Sequence, residues 1–326
     1  MGPVAAVTDL LRAAGAALYG AAWEARRRAY AAGLRTPRRV AARVVSVGNL
    51  TVGGTGKTTL VLHLAAAARA RGLEPAVVCR RYRPGPAGEG DEERMFRAAL
   101  GAGAVYAGAS KRDLAAAAAR AGRRLVLVDD GFSHWGLERD LDVVLLDARD
   151  PWEEGRLLPA GRLREPLRAL QRAGVVVVTR LAPGEDAAPW LARAGRHAPA
   201  ARLAAGRHAP DGVRWLAGGE VPAGARAWVL TATGNPAAVE ATAREAGLAV
   251  VGRSTFRDHH WFSAGEARAA RARAARAGAA LVVTAKDAVR WPAAAGVEGV
   301  AVLAVRWAWV AGGEAAERAV FGEEAR

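Results

Sequence analysis

The sequence predicts an α/β protein: a parallel sheet covered by helices, a second, smaller α/β domain, and an N-terminal amphipathic helix. Three observations carry this expectation. Short β-branched runs alternate with Ala- and Arg-rich helical stretches, a Gly-rich segment joins one such run directly to a helix, and the rhythm breaks between residues 181 and 224. At 326 residues, 52% hydrophobic and 24% charged, the chain is long enough for two domains and too apolar to be disordered.

The first series of runs predicts strands at 43–47, 76–79, 125–128, 143–146 and 175–178. The second predicts them at 227–230, 249–251, 281–283 and 302–305. Their continuous apolar character suits strands buried on both faces. The Ala-rich runs 65–70, 115–121 and 267–280 read as helices, since Ala is the strongest helix former. Between them, Pro183, Pro199, Pro210, Gly218, Gly219 and Pro222 interrupt the pattern. The domain junction is expected there, near residue 205, with hairpin strands at 201–206 and 212–216. The resulting division is 1–40 for an N-terminal helix region, 41–205 for the main domain and 206–326 for the smaller one.

In the first forty residues, Val4, Val7, Leu10, Leu11, Ala14, Leu18 and Tyr19 fall near helical spacing, and Arg26, Arg27, Arg28, Arg35, Arg38 and Arg39 follow. An apolar stripe followed by a basic cluster suits a helix lying on an anionic bilayer. The same periodicity suits a helix capping the sheet, and spacing does not separate the two readings.

The chain carries 47 Lys and Arg against 32 Asp and Glu, a formal charge of +15. The lysines are Lys57, Lys111 and Lys286; the other cations are arginines. Such an excess reads either as compositional bias or as attraction to an anionic partner. No zinc-finger spacing and no aromatic motif interleaves the basic residues, so nucleic acid is not expected. Cys79 is the single cysteine, which excludes a disulfide scaffold and a thiolate zinc site. No run of about 18 uncharged apolar residues is present, and the first residues lack the basic start of a secretion signal. The expectation is a cytosolic globular protein.

The run 44–49 leads into Leu50-Thr51-Val52-Gly53-Gly54-Thr55-Gly56-Lys57-Thr58-Thr59 and then a helical stretch. Strand, Gly-rich turn, Gly-Lys-Thr and helix is the order of a P-loop, so the main domain is expected to be a P-loop NTPase-type sheet. Glycines let backbone N–H groups curl around a phosphate, and the helix N-terminus adds its positive dipole end. Residues 51–59 are thus the candidate ATP- or GTP-binding loop, with Lys57 on the terminal phosphates and the Thr58 hydroxyl on Mg²⁺. Thr51 stands where the strict pattern has Gly. A second metal-holding group is needed on a neighbouring strand, and the apolar run 125–128 ends in Asp129-Asp130-Gly131. Paired carboxylates in a turn also suit a solvated cap; the buried strand before them favours the metal.

These segments and others in order resemble the tetraacyldisaccharide 4′-kinase family. The likeness covers the loop from Val47, then Gly90-Asp91-Glu92, Asp129-Asp130-Gly131-Phe132-Ser133-His134, and Leu158-Pro159-Ala160-Gly161-Arg162-Leu163-Arg164-Glu165-Pro166. It continues through Gly234-Asn235-Pro236, Phe256-Arg257-Asp258-His259-His260 and Thr284-Ala285-Lys286-Asp287-Ala288-Val289. Departures are Cys79-Arg80-Arg81-Tyr82-Arg83 for a Ser-Arg-Gly-Tyr-Gly element, Ser133 for Gln and Ala285 for Glu.

The resemblance implies a phosphotransferase that moves the γ-phosphoryl of ATP, with Mg²⁺, to the 4′-hydroxyl of an acylated glucosamine disaccharide 1-phosphate. The product is lipid IVA, made in lipid A biosynthesis at the cytoplasmic face of the bacterial inner membrane. It implies Asp91 as the base and His259 as its partner, drawn from both domains, so that the smaller domain closes over the site. Read without the resemblance, residues 88–93 are a solvated acidic loop, and Asp258-His259-His260 is a metal fragment with no cluster to complete it. Arg164 is expected as a further positive contact to the transferred group. Glu165 is expected in the site, either behind the metal or positioning substrate. The lipid substrate favours a peripheral or monotopic membrane-surface role for the N-terminal helix, and no obligate protein partner is evident. The competing readings are a P-loop regulatory NTPase acting on a protein and a nucleic-acid-stimulated ATPase.

Overall fold

The computed structural model describes residues 3–149, 152 and 155–322, except that nothing is said of the side chains of residues 3–6. Val4 of the expected N-terminal stripe therefore has its side chain outside the described residues. The chain divides into two compact units. The first comprises Met1–Cys79, Tyr106–Arg207 and Trp309–Arg326, and the second comprises Arg80–Val105 and His208–Ala308.

In the first unit the strands are β1 (Arg43–Asn49), β2 (Pro75–Arg80), β3 (Val105–Gly108), β4 (Leu125–Asp129), β5 (Leu141–Asp147), β6 (Val175–Thr179) and the start of β7 (Arg202–Trp215). They lie in the order β3-β2-β4-β1-β5-β6-β7. The pairings of β1 with β4 and β5, of β2 with β4 and of β6 with β5 and β7 are all parallel. β4 and β6 are buried along their whole length, because helices cover both faces. Those helices include α1 (Pro3–Ala31), α2 (Lys57–Ala70), α4 (Lys111–Arg120), α5 (Ala188–His197) and α9 (Gly313–Phe321). Leu60, Val61, Leu64, Ala65 and Ala68 form the buried stripe of α2, and Ser110 caps α4 by accepting from the Asp113 amide. Val47 of β1 stands beside Asp129 of β4, so the Gly-rich loop and the acidic pair leave adjacent strands at the same end.

The second unit holds α3 (Asp91–Leu100), β8 (Arg226–Thr231), α6 (Pro236–Glu245), β9 (Ala249–Thr255), α7 (Ala264–Arg276), β10 (Ala280–Thr284), the short α8 (Ala285–Ala288) and most of β11 (Val300–Ala311). Its strand order is β11-β10-β8-β9, again parallel. Leu230, Leu281, Val283 and Val300 pack with Phe262 and the Ala270–Ala274 turn of α7 into one of its cores.

Several expectations change. The hairpin expected at 201–206 and 212–216 is one strand, β7, parallel to β6 over Arg202 to Gly206. Pro210 lies beyond the residues of β7 that pair with β6. The helix expected to 280 ends at Arg276, after which Gly278 takes φ +60 and Ala280 opens β10. β3, only four residues long, is not among the strands expected. The division into units also differs from the one expected: residues 80–105, with Asp91, group with 208–308, whereas 309–322 group with the first unit.

Candidate active site

The loop between β1 and α2 is shaped by two glycines in backbone regions that side-chain-bearing residues avoid, Gly53 at φ +118 and Gly56 at φ +94. A Cβ on Gly53 would also lie 2.7 Å from the Arg162 guanidinium. The segment from Arg162 to Arg164 backs the loop. Leu163 bridges Thr51 in antiparallel sense, the Val52 amide donates to the Arg162 carbonyl at 2.8 Å, and the Arg164 amide donates to Leu50 at 2.6 Å. The Pro-Ala-Gly-Arg-Leu-Arg-Glu-Pro segment is thus the scaffold that holds the phosphate loop in shape. Lys57 opens α2, followed by Thr58 and Thr59. Its Nζ donates to Asn49 Oδ1 at 3.0 Å and to the Gly53 carbonyl at 3.3 Å, and lies 3.6 Å from Asp130 Oδ1. Gly54 is held from outside the loop by Arg180, which donates to its carbonyl and pairs with Asp147 at 3.1 Å.

Asp130 adopts φ +51 at the tip of β4. Arg164 grips it with both terminal nitrogens at 2.8 Å, and donates to the Thr51 carbonyl at 3.0 Å. This is a bidentate guanidinium–carboxylate pair. Burial alone would push the Asp130 carboxyl up, but Lys57 and Arg164 outweigh it and hold it well below the usual carboxylate range. Lys111, itself buried, donates to the Asp130 backbone carbonyl at 2.6 Å, fixing the turn from behind. Burial and the Lys111 charge together push the neighbouring His134 imidazole down to about 4. Glu165 is buried and accepts from Trp135 Nε1 at 3.3 Å and from Arg172 at 2.8 Å. Arg172 in turn lies over the Phe132 and Trp135 rings, so Glu165 anchors the turn after Asp130. Tyr19 of α1 donates to the Arg164 carbonyl at 2.8 Å.

The residues expected to hold Mg²⁺ are oxygen donors, as that ion requires. Both Asp130 oxygens are engaged by Arg164; Asp129, buried at the strand tip, and the Thr58 hydroxyl are the other two expected donors. Among the described residues no group of three metal-ligating side chains forms. Such a sparse protein set fits an ion that keeps waters and takes phosphate oxygens.

In the second unit the extended Gly90 leads into α3, and Asp91 is its first residue, with a side chain only 3% exposed. Asp91 Oδ1 accepts from the Glu92 amide at 2.9 Å, and Oδ2 meets His259 Nδ1 at 2.9 Å. His259 sits at φ +62, its amide donating to the Ala232 carbonyl at 3.2 Å and its ring edge-on to Tyr82. Lys286 Nζ is 3.3 Å from His259 Nε2 and 3.7 Å from Asp91 Oδ2, and Arg290 is 3.5 Å from the same oxygen. Burial would raise the Asp91 carboxyl, yet His259, Lys286 and Arg290 together hold it at about 2. Asp91 and His259 meet inside one unit, rather than being drawn from two domains as expected. The reason is that Arg94 of α3 donates to the Val289 carbonyl at 3.0 Å and that α3 packs on the α8 region. Asn49, Lys111, Lys286 and Arg290 were not singled out from the sequence as site residues. The two lysines carried a signal: in a chain whose cations are almost all Arg, every Lys stands at one of these two clusters.

Three comparisons bear on this geometry. The family model for tetraacyldisaccharide-1-P 4′-kinase matches residues 8–321. A tetraacyldisaccharide 4′-kinase of Anaeromyxobacter sp. (strain Fw109-5) is 38% identical over 313 residues, covering 89% of this chain and 84% of that one. The corresponding protein of Geobacter sulfurreducens is 36% identical, covering 89% and 86%. Among solved structures, LpxK from Aquifex aeolicus in complex with ATP superposes with a TM-score of 0.70 at 24% identity, over 94% of this chain and 96% of that one. At that identity the likeness speaks for the fold.

Proposed function

The chain belongs to the tetraacyldisaccharide 4′-kinase family, and from that premise we propose that it transfers the γ-phosphoryl group of ATP to the 4′-hydroxyl of a tetraacyldisaccharide 1-phosphate, giving lipid IVA and ADP. The observation that carries the donor half is the Gly-rich loop closed by Lys57 at the N-terminus of α2, beside the Arg164–Asp130 clamp. Backbone amides of residues 53–58 and the helix dipole bind the phosphates. Lys57 exchanges its contacts with Asn49 and Gly53 for the β/γ-phosphate oxygens. Arg164 holds Asp130 and the loop, so its charge reaches the nucleotide as part of a rigid frame. Thr58 and Asp129 hold Mg²⁺, which when bound neutralises charge on the phosphate oxygens.

On the acceptor side, the 4′-oxygen bonds to phosphorus while the bond from phosphorus to the β-phosphate oxygen breaks. The hydroxyl proton passes to the Asp91 carboxylate. A base held at about 2 is weak, which is adequate where the transition state is loose and little deprotonation precedes transfer. It has the advantage of being ionised throughout the neutral range. Glu165 keeps the turn after Asp130 in place, a supporting role.

The acceptor carries acyl chains. The exposed Leu10, Leu11 and Leu18 of α1 are accordingly read as the surface that meets the bilayer at the cytoplasmic face of the bacterial inner membrane. Among the described residues no helix is long and apolar enough to cross a membrane. The test is transfer itself: γ-labelled ATP, Mg²⁺ and the tetraacyldisaccharide 1-phosphate, with GTP-only and DNA-supplemented controls. Acceptor-dependent appearance of label in lipid is expected. Hydrolysis stimulated by nucleic acid, or nucleotide binding without transfer, overturns the kinase reading.

A further inference from the structure

The Thr284-Ala285-Lys286-Asp287 segment has no role in the scheme above, yet its lysine stands in the middle of the second cluster. Lys286 Nζ lies 3.3 Å from His259 Nε2, 3.7 Å from Asp91 Oδ2, 3.8 Å from Glu92 Oε1 and 4.0 Å from Asp258 Oδ1. The backbone that carries it is built to hold one position. Thr284 caps α8 by accepting from the Asp287 amide at 3.1 Å. Asp287, fully buried, accepts from the Ala232 amide at 3.0 Å, from Thr284 Oγ1 at 2.7 Å and from Arg290 at 2.6 Å. Arg290, fully buried as well, returns its Nε to the Lys286 carbonyl at 3.1 Å. Ala232 also receives the His259 amide, so one buried network sets the relative position of Lys286 and the imidazole.

We propose that Lys286 is a positioning residue that fixes the tautomer of His259, leaving the ring proton on Nδ1 in the bond to Asp91. The argument rests on hydrogen-bond inventory. An ammonium carries donors only, so the ring nitrogen facing it must accept; a carboxylate carries acceptors only, so the nitrogen facing it must donate. His259 is gripped between one of each. The groups facing the imidazole are Asp91 and Glu92 from α3, Tyr82 from the segment after β2, Asp258 from its own loop, and Lys286 and Arg290 from the α8 region. Of these only Lys286 offers a donor to Nε2 in the described residues. The consequence for chemistry is a carboxylate whose Oδ2 is tied by Nδ1–H and whose Oδ1 is tied by the Glu92 amide, held ionised by the Lys286 charge. A Gln at position 286 satisfies Nε2 in either sense and a Met satisfies neither, whereas Arg keeps a donor and a positive charge.

The inference rests on the reading of Asp91 and His259 as the proton-accepting pair, and two measurements keep the two apart. In ¹⁵N-histidine-labelled full-length protein, the His259 ring is expected to show a protonated Nδ1 and an unprotonated Nε2 at neutral pH. A wild-type ring with its proton on Nε2 overturns the Lys286 assignment while leaving the kinase reading intact, and needs no variant to fold. In the transfer assay, Lys286→Met is expected to lower kcat by about tenfold to a hundredfold with the KM for ATP unchanged. Because Lys286 helps hold the Asp91 carboxyl down, the acid limb of the kcat profile is expected to move to higher pH. Lys286→Arg is expected to recover most of the rate and the wild-type limb. Lys286→Met with an unshifted pH profile, or Lys286→Arg as impaired as Met, overturns the proposal. Absence of lipid phosphorylation by the wild-type protein overturns the kinase reading alone.

Discussion

Asp91 is a carboxylate whose ionisation is bound up with folding. Burial raises it, and His259, Lys286 and Arg290 lower it further than burial raises it, from an ordinary 3.8 to about 2. A group depressed on folding contributes stability above its unfolded value and loses it as pH falls through the folded one. The contribution is about 2 kcal/mol above pH 5, falls by roughly half near pH 3, and vanishes below pH 2. Urea unfolding of wild type and Asp91→Asn should therefore show a gap at pH 7 that narrows on acidification; a gap that is constant from pH 7 to pH 3 contradicts the assignment. Arg83 makes a second case. It stands where the family element has Gly and takes φ +42, a left-handed conformation that costs a side-chain-bearing residue about 1–2 kcal/mol. Arg83→Gly should raise stability by about 0.5–1 kcal/mol once the more flexible unfolded chain is counted, read as a higher urea midpoint. Arg81, the other replacement, is accommodated differently: buried Glu93 accepts from it twice at 2.9 Å. The nucleotide-loop residues were legible in the sequence because their spacing encodes local geometry. Of the partners of Asp91, His259 was implied by the resemblance alone, and Lys286 and Arg290 were not legible, because they stand far along the chain and meet Asp91 only through packing.

At the scale of elements, strands were legible wherever a β-branched run was long enough to be buried on both faces, as in β4 and β6. β3, with the sequence Val-Tyr-Ala-Gly, has no such run. β7 differs from the expected hairpin because Pro210 suggests a turn between 206 and 212, whereas the chain runs on as one strand whose first residues, Arg202 to Gly206, pair in parallel with β6. The loop's geometry also depends on a close approach that composition conceals. Gly48, paired with Val144 in β1, faces Phe132 of the turn after Asp130, and a Cβ there would meet Phe132 Cβ at 2.5 Å and its amide nitrogen at 2.8 Å. Neither atom is at the end of a flexible side chain, so the strand and the acidic turn would have to separate. Gly48→Ala should cost about 1–3 kcal/mol, the usual range for overpacking, and should weaken ATP binding because both phosphate-handling segments hang from that contact. Calorimetric melting and nucleotide titration on the same sample test this; wild-type melting and affinity would mean that the turn gives way freely.

For the molecule as a whole, the N-terminal helix tests whether the protein works against a membrane. Sequence periodicity left two arrangements open for its apolar stripe, burial on the sheet or exposure. Of that stripe Tyr19 turns inward, and further inward contacts of α1 come from residues outside it. Gly15 lies close to Pro159, Gly20 close to Leu157, Tyr19 donates to Arg164, and Trp23 is buried edge-on to Trp135. Val7, Leu10, Leu11 and Leu18 are 57–74% exposed, and Arg12, Arg27 and Arg28 share the helix with them. Burying a leucine side chain in hydrocarbon is worth roughly 1.5–3 kcal/mol when complete, so three partly inserted leucines supply enough to hold a protein reversibly on a bilayer, and cations near an anionic surface add to it. The triple variant Leu10→Asp, Leu11→Asp, Leu18→Asp should keep its fold and its affinity for ATP, since none of these side chains packs in the interior. Its sedimentation with anionic lipid vesicles should fall at least about tenfold relative to wild type, and the wild-type association should weaken in high salt to the extent that the arginines contribute. Unchanged sedimentation of the variant would remove α1 as the membrane contact and leave its exposed leucines without that role.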